Sequence, residues 1–285
     1  MAYQSYPSDV TDTEWTIIAP LVPEPKTNGR QATITRRTLI NAMFYVTKTG
    51  CGWEWLPCEF PHWKTVYHYF RLWRLTGLWQ AIHTSLREMV RQVLGRNLQP
   101  SAAIIDSQLV KTTYVGGPEH GFDGGKKING RKQHVVVDTQ GLVLGLKVQA
   151  ANITDRDGAL QVLDDMPNRF PRIRKLWTDS GYNGRFRRWA AEHLVDWDVE
   201  IVKHWWTGIK GVWVGPGQEP PTIPSGFQVL PKRWIVERTF SWLDQNRRLS
   251  KDYERLPITS ETFVYVVMIR LMLRRLARQS VRSLS

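Results

Sequence analysis

Ala102-Ala103-Ile104-Ile105-Asp106-Ser107-Gln108 decides how the chain is read. Upstream of it, apolar residues recur at helical spacing. From Ala102 onward the pattern turns to short apolar runs of strand type. Residues 102–105 read as a short buried strand, and Asp106 closes it. An aspartate directly after Ile-Ile and ahead of Ser-Gln is not an evident turn, so the strand would fix a carboxylate in the centre of a sheet. Residues 172–178 repeat the device: a strand closed by Asp179 and followed by Ser180-Gly181-Tyr182.

Around these two strands the elements fall into an order. Residues 114–131 are too glycine-rich to be regular. Residues 132–138, with Val135, Val136 and Val137, read as a strand, Thr139-Gln140-Gly141 as a turn and 142–149 as the returning strand of a hairpin. Residues 156–165 read as a helix capped by Asp155, 185–193 as a helix and 199–203 as a strand. Residues 205–231 are Gly-, Pro- and Trp-rich with no period, an insertion or long loop. Arg233-Trp234-Ile235-Val236-Glu237-Arg238-Thr239-Phe240 lies in a helix over 232–250, and 259–278 is a last helix buried on most sides. This order is that of a ribonuclease-H-like α/β domain, a mixed sheet flanked by helices. In such sheets ligands gather at strand ends, where Asp106 and Asp179 are expected.

The first hundred residues are helical in pattern. Residues 9–22 start a helix, with Thr11 or Asp12 as cap and Pro20, Pro23 and Pro25 ending it. A second helix spans 35–49, with Leu39, Ala42, Met43 and Val46 apolar and Gly50 placed to stop it. After an aromatic turn over 51–57, residues 61–74 mix Lys64, His68, Arg71 and Arg74 with Trp63, Tyr67, Phe70 and Trp73. Residues 78–94 form a fourth helix with Leu86, Met89, Val90 and Val93 inward. Short turns and a basic, aromatic helix look like a helix-turn-helix module; the same aromatics also suit an ordinary helical core. The polar run 95–99 and Pro100 mark a boundary. The expected organisation is an all-helical N-terminal DNA-binding domain over 1–98, a catalytic domain over 99–279 with the insertion at about 204–231, and a tail over 280–285.

Composition narrows the partner. The 285 residues suffice for one large domain or two modest ones. A net charge of +13, from 39 basic against 26 acidic residues, and a pI near 9.9 point to a polyanion. The accompanying 14 Trp, 9 Tyr and 9 Phe favour nucleic acid over a soluble protein that merely happens to be basic. The start of the chain lacks the basic and apolar regions of a signal peptide, and the longest apolar run, interrupted by Arg270, is too short to span a bilayer. A cytoplasmic, nucleoid-associated bacterial protein is expected. Cys51 and Cys58 do not make a paired zinc set and read as buried, reduced thiols.

Two aspartates at strand ends and a glutamate on a later helix suit phosphodiester chemistry. Two Mg²⁺ ions roughly 3.5–4 Å apart can activate a nucleophile and stabilise the charge on phosphate and leaving oxygen. Mg²⁺, with Mn²⁺ able to substitute, prefers carboxylates and keeps several waters, so few acids are needed. Asp106 would bridge both ions, Asp179 hold one and Glu237 the other. Each acid also has a plainer reading. Asp179 suits a turn before Ser-Gly, and Glu237 suits a surface pair with Arg233 one helical turn earlier. Asp138 and Asp155 are better read as a strand-end turn and a helix cap, and His134 as structural.

The motifs carry a resemblance over nearly the whole chain. It rests on Leu21-Val22-Pro23, Gly29-Arg30, Asn41-Ala42-Met43-Phe44-Tyr45-Val46, Thr49-Gly50-Cys51-Gly52-Trp53 and Leu56-Pro57 in the N-terminal part. In the core it rests on Ile105-Asp106-Ser107-Gln108, Gly124-Gly125-Lys126-Lys127, Gly130-Arg131-Lys132, Val137-Asp138-Thr139 and Asp155-Arg156-Asp157-Gly158-Ala159. Thr178-Asp179-Ser180-Gly181-Tyr182 and the stretch from Arg233 to Phe240 complete it. The chain resembles transposases of insertion-sequence family five, within the Asp-Asp-Glu transposase superfamily. The resemblance implies Asp106, Asp179 and Glu237 as catalytic acids, a ribonuclease-H-like fold, divalent metal and recognition of an element's terminal inverted repeats. The chain departs from the wider group at Leu230, where a tyrosine is usual, and at Asp244, where a basic residue is usual.

DNA contacts are expected from Lys64, His68 and Arg71, from the cluster Lys126, Lys127, Arg131 and Lys132, and from Arg185, Arg233, Arg247 and Arg248. Trp205, Trp206 and Trp213 could stack on an unpaired base, although packing of the insertion explains them as well. The reading is a DNA transposase that cleaves the 3′ ends of its element and transfers the 3′-hydroxyl to target DNA, working as a homodimer. The alternatives are a catalytically inactive repressor derived from a transposase and a ribonuclease-H-type nuclease without strand transfer.

Overall fold

The computed structural model describes residues 5–24, 34–114, 116–202 and 232–282. Trp205, Trp206, Trp213 and the whole of the expected insertion lie outside them. In chain order the helices and strands are α1 (Asp12–Ile18), α2 (Arg36–Thr49), α3 (Trp63–Leu75), α4 (Leu78–Val93), β1 (Ala102–Lys111), β2 (Gly121–Asp123), β3 (Ile128–Asp138) and β4 (Val143–Ala150). They continue with α5 (Asp155–Leu163), α6 (Met166–Arg169), β5 (Lys175–Asp179), α7 (Arg185–His193), β6 (Asp198–Val202), α8 (Trp234–Asp244) and α9 (Pro257–Arg282).

The strands form one mixed six-stranded sheet. β1 pairs antiparallel with β3 on one side and parallel with β5 on the other, and β6 extends the parallel half. β2 and β4 pair with successive parts of the outer edge of β3. Helices cover both faces, as apolar residues on both sides of β1 and β3 require. Ala103, Ile105, Val136 and Leu144 pack under α5, α6 and α7 against Leu163, Met166 and Phe186. Ile104, Val135 and Val137 face the opposite layer, with Leu86 of α4, Val236 of α8 and Leu273 of α9.

The N-terminal helices continue that second layer. Ile18, Met43, Phe70 and Trp79 share its core with α9, and the Phe70 and Phe263 rings stack 4.8 Å apart. The core is therefore continuous across residues 98/99. α4 is fixed to the sheet by a buried Arg91–Asp138 ion pair. The second Asp138 oxygen accepts from the Gln140 and Leu142 amides at 2.8 and 2.9 Å, the strand-end turn expected of it.

Several local expectations are corrected. β1 does not stop at Asp106. Its pairing with β3 runs on to Lys111↔Gly130, and Gln108 donates to Gln133 at 2.8 Å, so the polar residues past the apolar run stay in the ladder. The glycine-rich stretch holds β2 and the start of β3. Thr154, not Asp155, caps α5. The helix carrying Glu237 ends at Asp244, where Asn246 turns back to the Trp242 and Leu243 carbonyls; Arg247 and Arg248 lie on a separate 3₁₀ turn. Val93 points outward and Cys58 is exposed, while Cys51 is half-buried.

Candidate active site

Register and pleat bring the two aspartates together. β1 and β5 are paired as far as Ile104↔Trp177, so Asp106 and Asp179, each two residues further, hold equivalent places just past the last paired residues. Side chains alternate along a strand. Ile104 and Trp177 face the layer that contains α8, and so do Asp106 and Asp179. Asp179 ends β5, and its carboxylate accepts from the Gly181 amide at 2.8 Å, which fixes the turn that follows.

Glu237 lies in the first turn of α8, which packs on β1 and β3. Arg233, at the helix N-cap, donates from Nη2 to Glu237 Oε1 at 2.7 Å, the surface pair that the spacing suggested. The same nitrogen lies 3.6 Å from Asp106 Oδ2. One guanidinium thus stands between the β1 and α8 acids. The Asp106 side chain is only 13% exposed, Glu237 is 54% exposed, and Asp179 is half-buried. Burial pushes the Asp106 carboxyl up to about 6; the Ser107 amide and Arg233 pull it down, and the charges of Asp179 and Glu237 push it up again. Asp106 therefore feels both of the other acids.

A polar network lies behind them. Ser107 donates to Asp155 Oδ1 at 2.6 Å, and the Lys132 ammonium lies 3.2 Å from the same oxygen and 3.4 Å from Asp123 Oδ2. Arg156 donates to the Gly181 carbonyl at 3.0 Å and braces the Asp179 turn. Burial first, then the charges of Asp106, Asp155 and Asp179, raise the Tyr182 phenol well above its ordinary range. Ser107, Tyr182 and the bracing role of Asp155 were not singled out from sequence. Their one signal was membership of the motifs around Asp106, Asp155 and Asp179. Among the described residues, neither ring nitrogen of the buried His134 has a hydrogen-bond partner; the ring lies against Gly158, and burial lowers it to about 4.

The donor set suits a hard cation: three carboxylates, two of them at equivalent positions of neighbouring strands, with Asp106 under the like charges of the other two. Among the described residues, no three Asp, Glu, His or Cys side chains are gathered closely enough to hold an ion as they stand. Arg233 supplies the positive charge between Asp106 and Glu237 instead.

The basic residues divide. Lys64, His68 and Arg71 are exposed along α3, and Lys126, Lys127 and Arg247 are exposed too. Arg185 is exposed and pairs with Asp157 at 3.0 Å. Arg131 is fully buried, 3.1 Å from Asp252 and bonded to the carbonyls of Glu119, Glu254 and Arg255, so its expected DNA contact is corrected to a structural role. Arg248 is likewise buried against Glu254 and the Cys51 carbonyl. Lys132 is buried too, and its ammonium is held within the acid network rather than offered to a phosphate.

The family described as “Transposase DDE domain” matches residues 97–272, and “Putative transposase of IS4/5 family” matches residues 10–83. The “Insertion element IS402 uncharacterized 16.2 kDa protein” of Burkholderia cepacia is 29% identical over 113 residues, 38% of this chain and 76% of that protein. The “Putative transposase for insertion sequence element IS402” of the same organism is 29% identical over 133 residues, 44% of this chain and 54% of that protein. The chain thus spans about three quarters of the first relative and about half of the second. No solved structure matches. Among the described residues, no helix is long and apolar enough to cross a membrane.

Proposed function

The chain belongs to the Asp-Asp-Glu transposases of the IS4/5 family, and from that premise we propose that it cuts an insertion sequence at its terminal inverted repeats and joins the freed ends to target DNA. The observation that supports the reading is the placement of Asp106 and Asp179 at equivalent positions of neighbouring strands, on the face covered by α8, with Arg233 shared between Asp106 and Glu237. Divalent cations, Mg²⁺ with Mn²⁺ as substitute, would be held by these three carboxylates and would supply charge stabilisation and an activated water.

The reaction has two in-line displacements. Water attacks the phosphorus at the element's end, the P–O3′ bond breaks, and the element keeps a 3′-hydroxyl while the flank keeps a 5′-phosphate. That 3′-hydroxyl then attacks a target phosphodiester, displacing the target's own 3′-oxygen. Asp106 is more deeply buried than Glu237 and sits inside a strand that is paired on its β3 side, and so it would set the place of the attacked phosphate. Lys64, His68 and Arg71 on α3, with Lys126, Lys127, Arg185, Arg233 and Arg247, would hold the DNA backbone. Ser107, Asp155, Lys132 and Arg156 would position the backbone around Asp106 and Asp179. Joining two ends calls for two copies of the chain, so the working form is a homodimer in the cytoplasm, at the nucleoid.

The test is a supercoiled plasmid carrying both element ends, incubated with the protein and Mg²⁺ beside a target plasmid. The expected products are 3′-hydroxyl ends at the element boundary and joined molecules, both lost with Asp106→Asn. Cleavage without joining would reduce the protein to a nuclease. Binding without cleavage would reduce it to a repressor.

A further inference from the structure

Away from the acids, a cleft of about 790 Å³ opens between α3, the turn at Trp53–Trp55 and the segment entering α9. That volume lies within the roughly 300–1,000 Å³ of ligand pockets. Trp55 stands on its rim, 80% exposed. The turn beneath it is rigid: the Trp55 amide donates to the Gly52 carbonyl at 3.0 Å, and the Trp53 ring is wedged between Tyr67 and Phe70 at 5.4 and 5.1 Å. Such a large apolar ring held in solvent on a fixed frame is the informative exception to burial. Tyr67, on the neighbouring face of α3, is also exposed.

Arg71, Arg74 and Arg255 line the same cleft. Among the described residues, their guanidinium groups have no hydrogen-bond or ion-pair partner. Of the lining acids, Glu254 is bonded to Arg248, which leaves Glu54 against three arginines. The far wall is tied to the catalytic strand. Arg131 donates to the Glu254 and Arg255 carbonyls at 2.7 and 2.9 Å, and Thr112, next after β1, bridges to Asp252. At about 3.3 Å per residue, that anchorage lies roughly 20 Å along the strand from Asp106.

We propose that this cleft takes unstacked nucleotides of a DNA strand that continues past the cleavage site. Trp55 and Tyr67 stack on bases, while Arg71, Arg74 and Arg255 take phosphates. Flat rings interleaved with unpaired guanidiniums on a rigid frame match the alternation of base and phosphate in a single strand. An acidic peptide would satisfy the arginines but leave the rings without a partner. The proposal rests on the DNA-cutting reading only for where the strand comes from.

The test measures fluorescence anisotropy of labelled dT12 and of a labelled 12-bp blunt duplex with the full chain. Trp55→Ala is expected to weaken dT12 binding about tenfold and duplex binding less than about twofold, and Trp55→Phe to restore most of the dT12 affinity. Arg71→Ala should shallow the salt dependence of dT12 binding by about 0.7 in log–log slope. Wild-type affinity of Trp55→Ala for dT12 overturns the proposal, as does an equal loss on both probes. Displacement of dT12 by polyglutamate as readily as by unlabelled dT12 also overturns it and assigns the cleft to an acidic peptide. Plasmid cleavage by Asp106→Asn is scored separately. If that variant cuts normally while the Trp55 effect persists, the catalytic reading fails and the cleft stands. If the Trp55 effect is absent while Asp106→Asn is inactive, the cleft alone fails.

Discussion

Arg233 Nη2 lies 2.7 Å from Glu237 Oε1 and 3.6 Å from Asp106 Oδ2, so one guanidinium joins an acid of the sheet to an acid of the covering helix. It stabilises two like charges at the place where the proposed cations would act. Arg233→Gln removes a competing positive charge. It is therefore expected to tighten Mn²⁺ binding severalfold in the absence of DNA, read from the EPR signal of free Mn²⁺. Weaker binding would show that Arg233 organises the acids rather than competing for them.

Asp106 makes stability depend on pH. Its carboxyl ionises near 3.8 when exposed and at about 6 in the fold, mainly because it is buried. Between those values the folded chain holds a proton that the unfolded chain has lost, so stability falls as pH rises from about 4 to about 6. Asp106→Asn removes the effect. With chelator present, the variant should become more stable than wild type across that window, by up to about 3 kcal/mol at pH 7. His83 and His134, lowered by burial to about 3 and about 4, act in the opposite sense: their contribution is lost as pH falls below 6.5. The difference between the two urea-unfolding curves is thus the quantity to read. A difference that does not change with pH would contradict the burial of Asp106.

Gly158 is required by His134. A Cβ there would lie 2.1 Å from His134 Nε2, and the imidazole is fully buried. In an exposed helix interior, Gly→Ala usually stabilises by about 1 kcal/mol. Here the clash decides the sign, and Gly158→Ala should destabilise by about 1–3 kcal/mol. His134→Ala in the same chain should recover most of the loss, as thermal unfolding of the two variants would show. An unrelieved loss would place the cause elsewhere in α5.

Arg131 is a stability residue. It is fully buried with Asp252, and its other donors meet backbone carbonyls. Arg131→Ala leaves a buried carboxylate unpaired and should cost about 3–5 kcal/mol in denaturant unfolding. A protein of wild-type stability with weakened duplex binding would instead return Arg131 to the DNA surface.

The sequence revealed what is local. The apolar runs ahead of Asp106 and Asp179 marked their strands, and the change of pattern at Ala102 separated helices from sheet. It did not reveal what distant chain segments decide. β1 runs past Asp106 because β3 offers it a partner. Lys126, Lys127, Arg131 and Lys132 looked like one basic patch. The strand buries the last two, and Arg131 meets an acid 121 positions away. Glu237 read as a helix-surface residue until its family-like setting singled it out. That Arg233 also reaches Asp106 depends on how α8 crosses the sheet, which no local pattern encodes.

Glu237 is the most exposed of the three acids and the one that local chemistry explains without catalysis, so it carries the sharpest test. Cleavage of a plasmid bearing the element ends is measured with Mg²⁺ for wild type, Asp106→Asn and Glu237→Gln, with binding to end DNA measured in parallel. The account predicts that Glu237→Gln binds the ends and fails to cut them, like Asp106→Asn. Cleavage by Glu237→Gln at the wild-type rate would contradict the three-acid site.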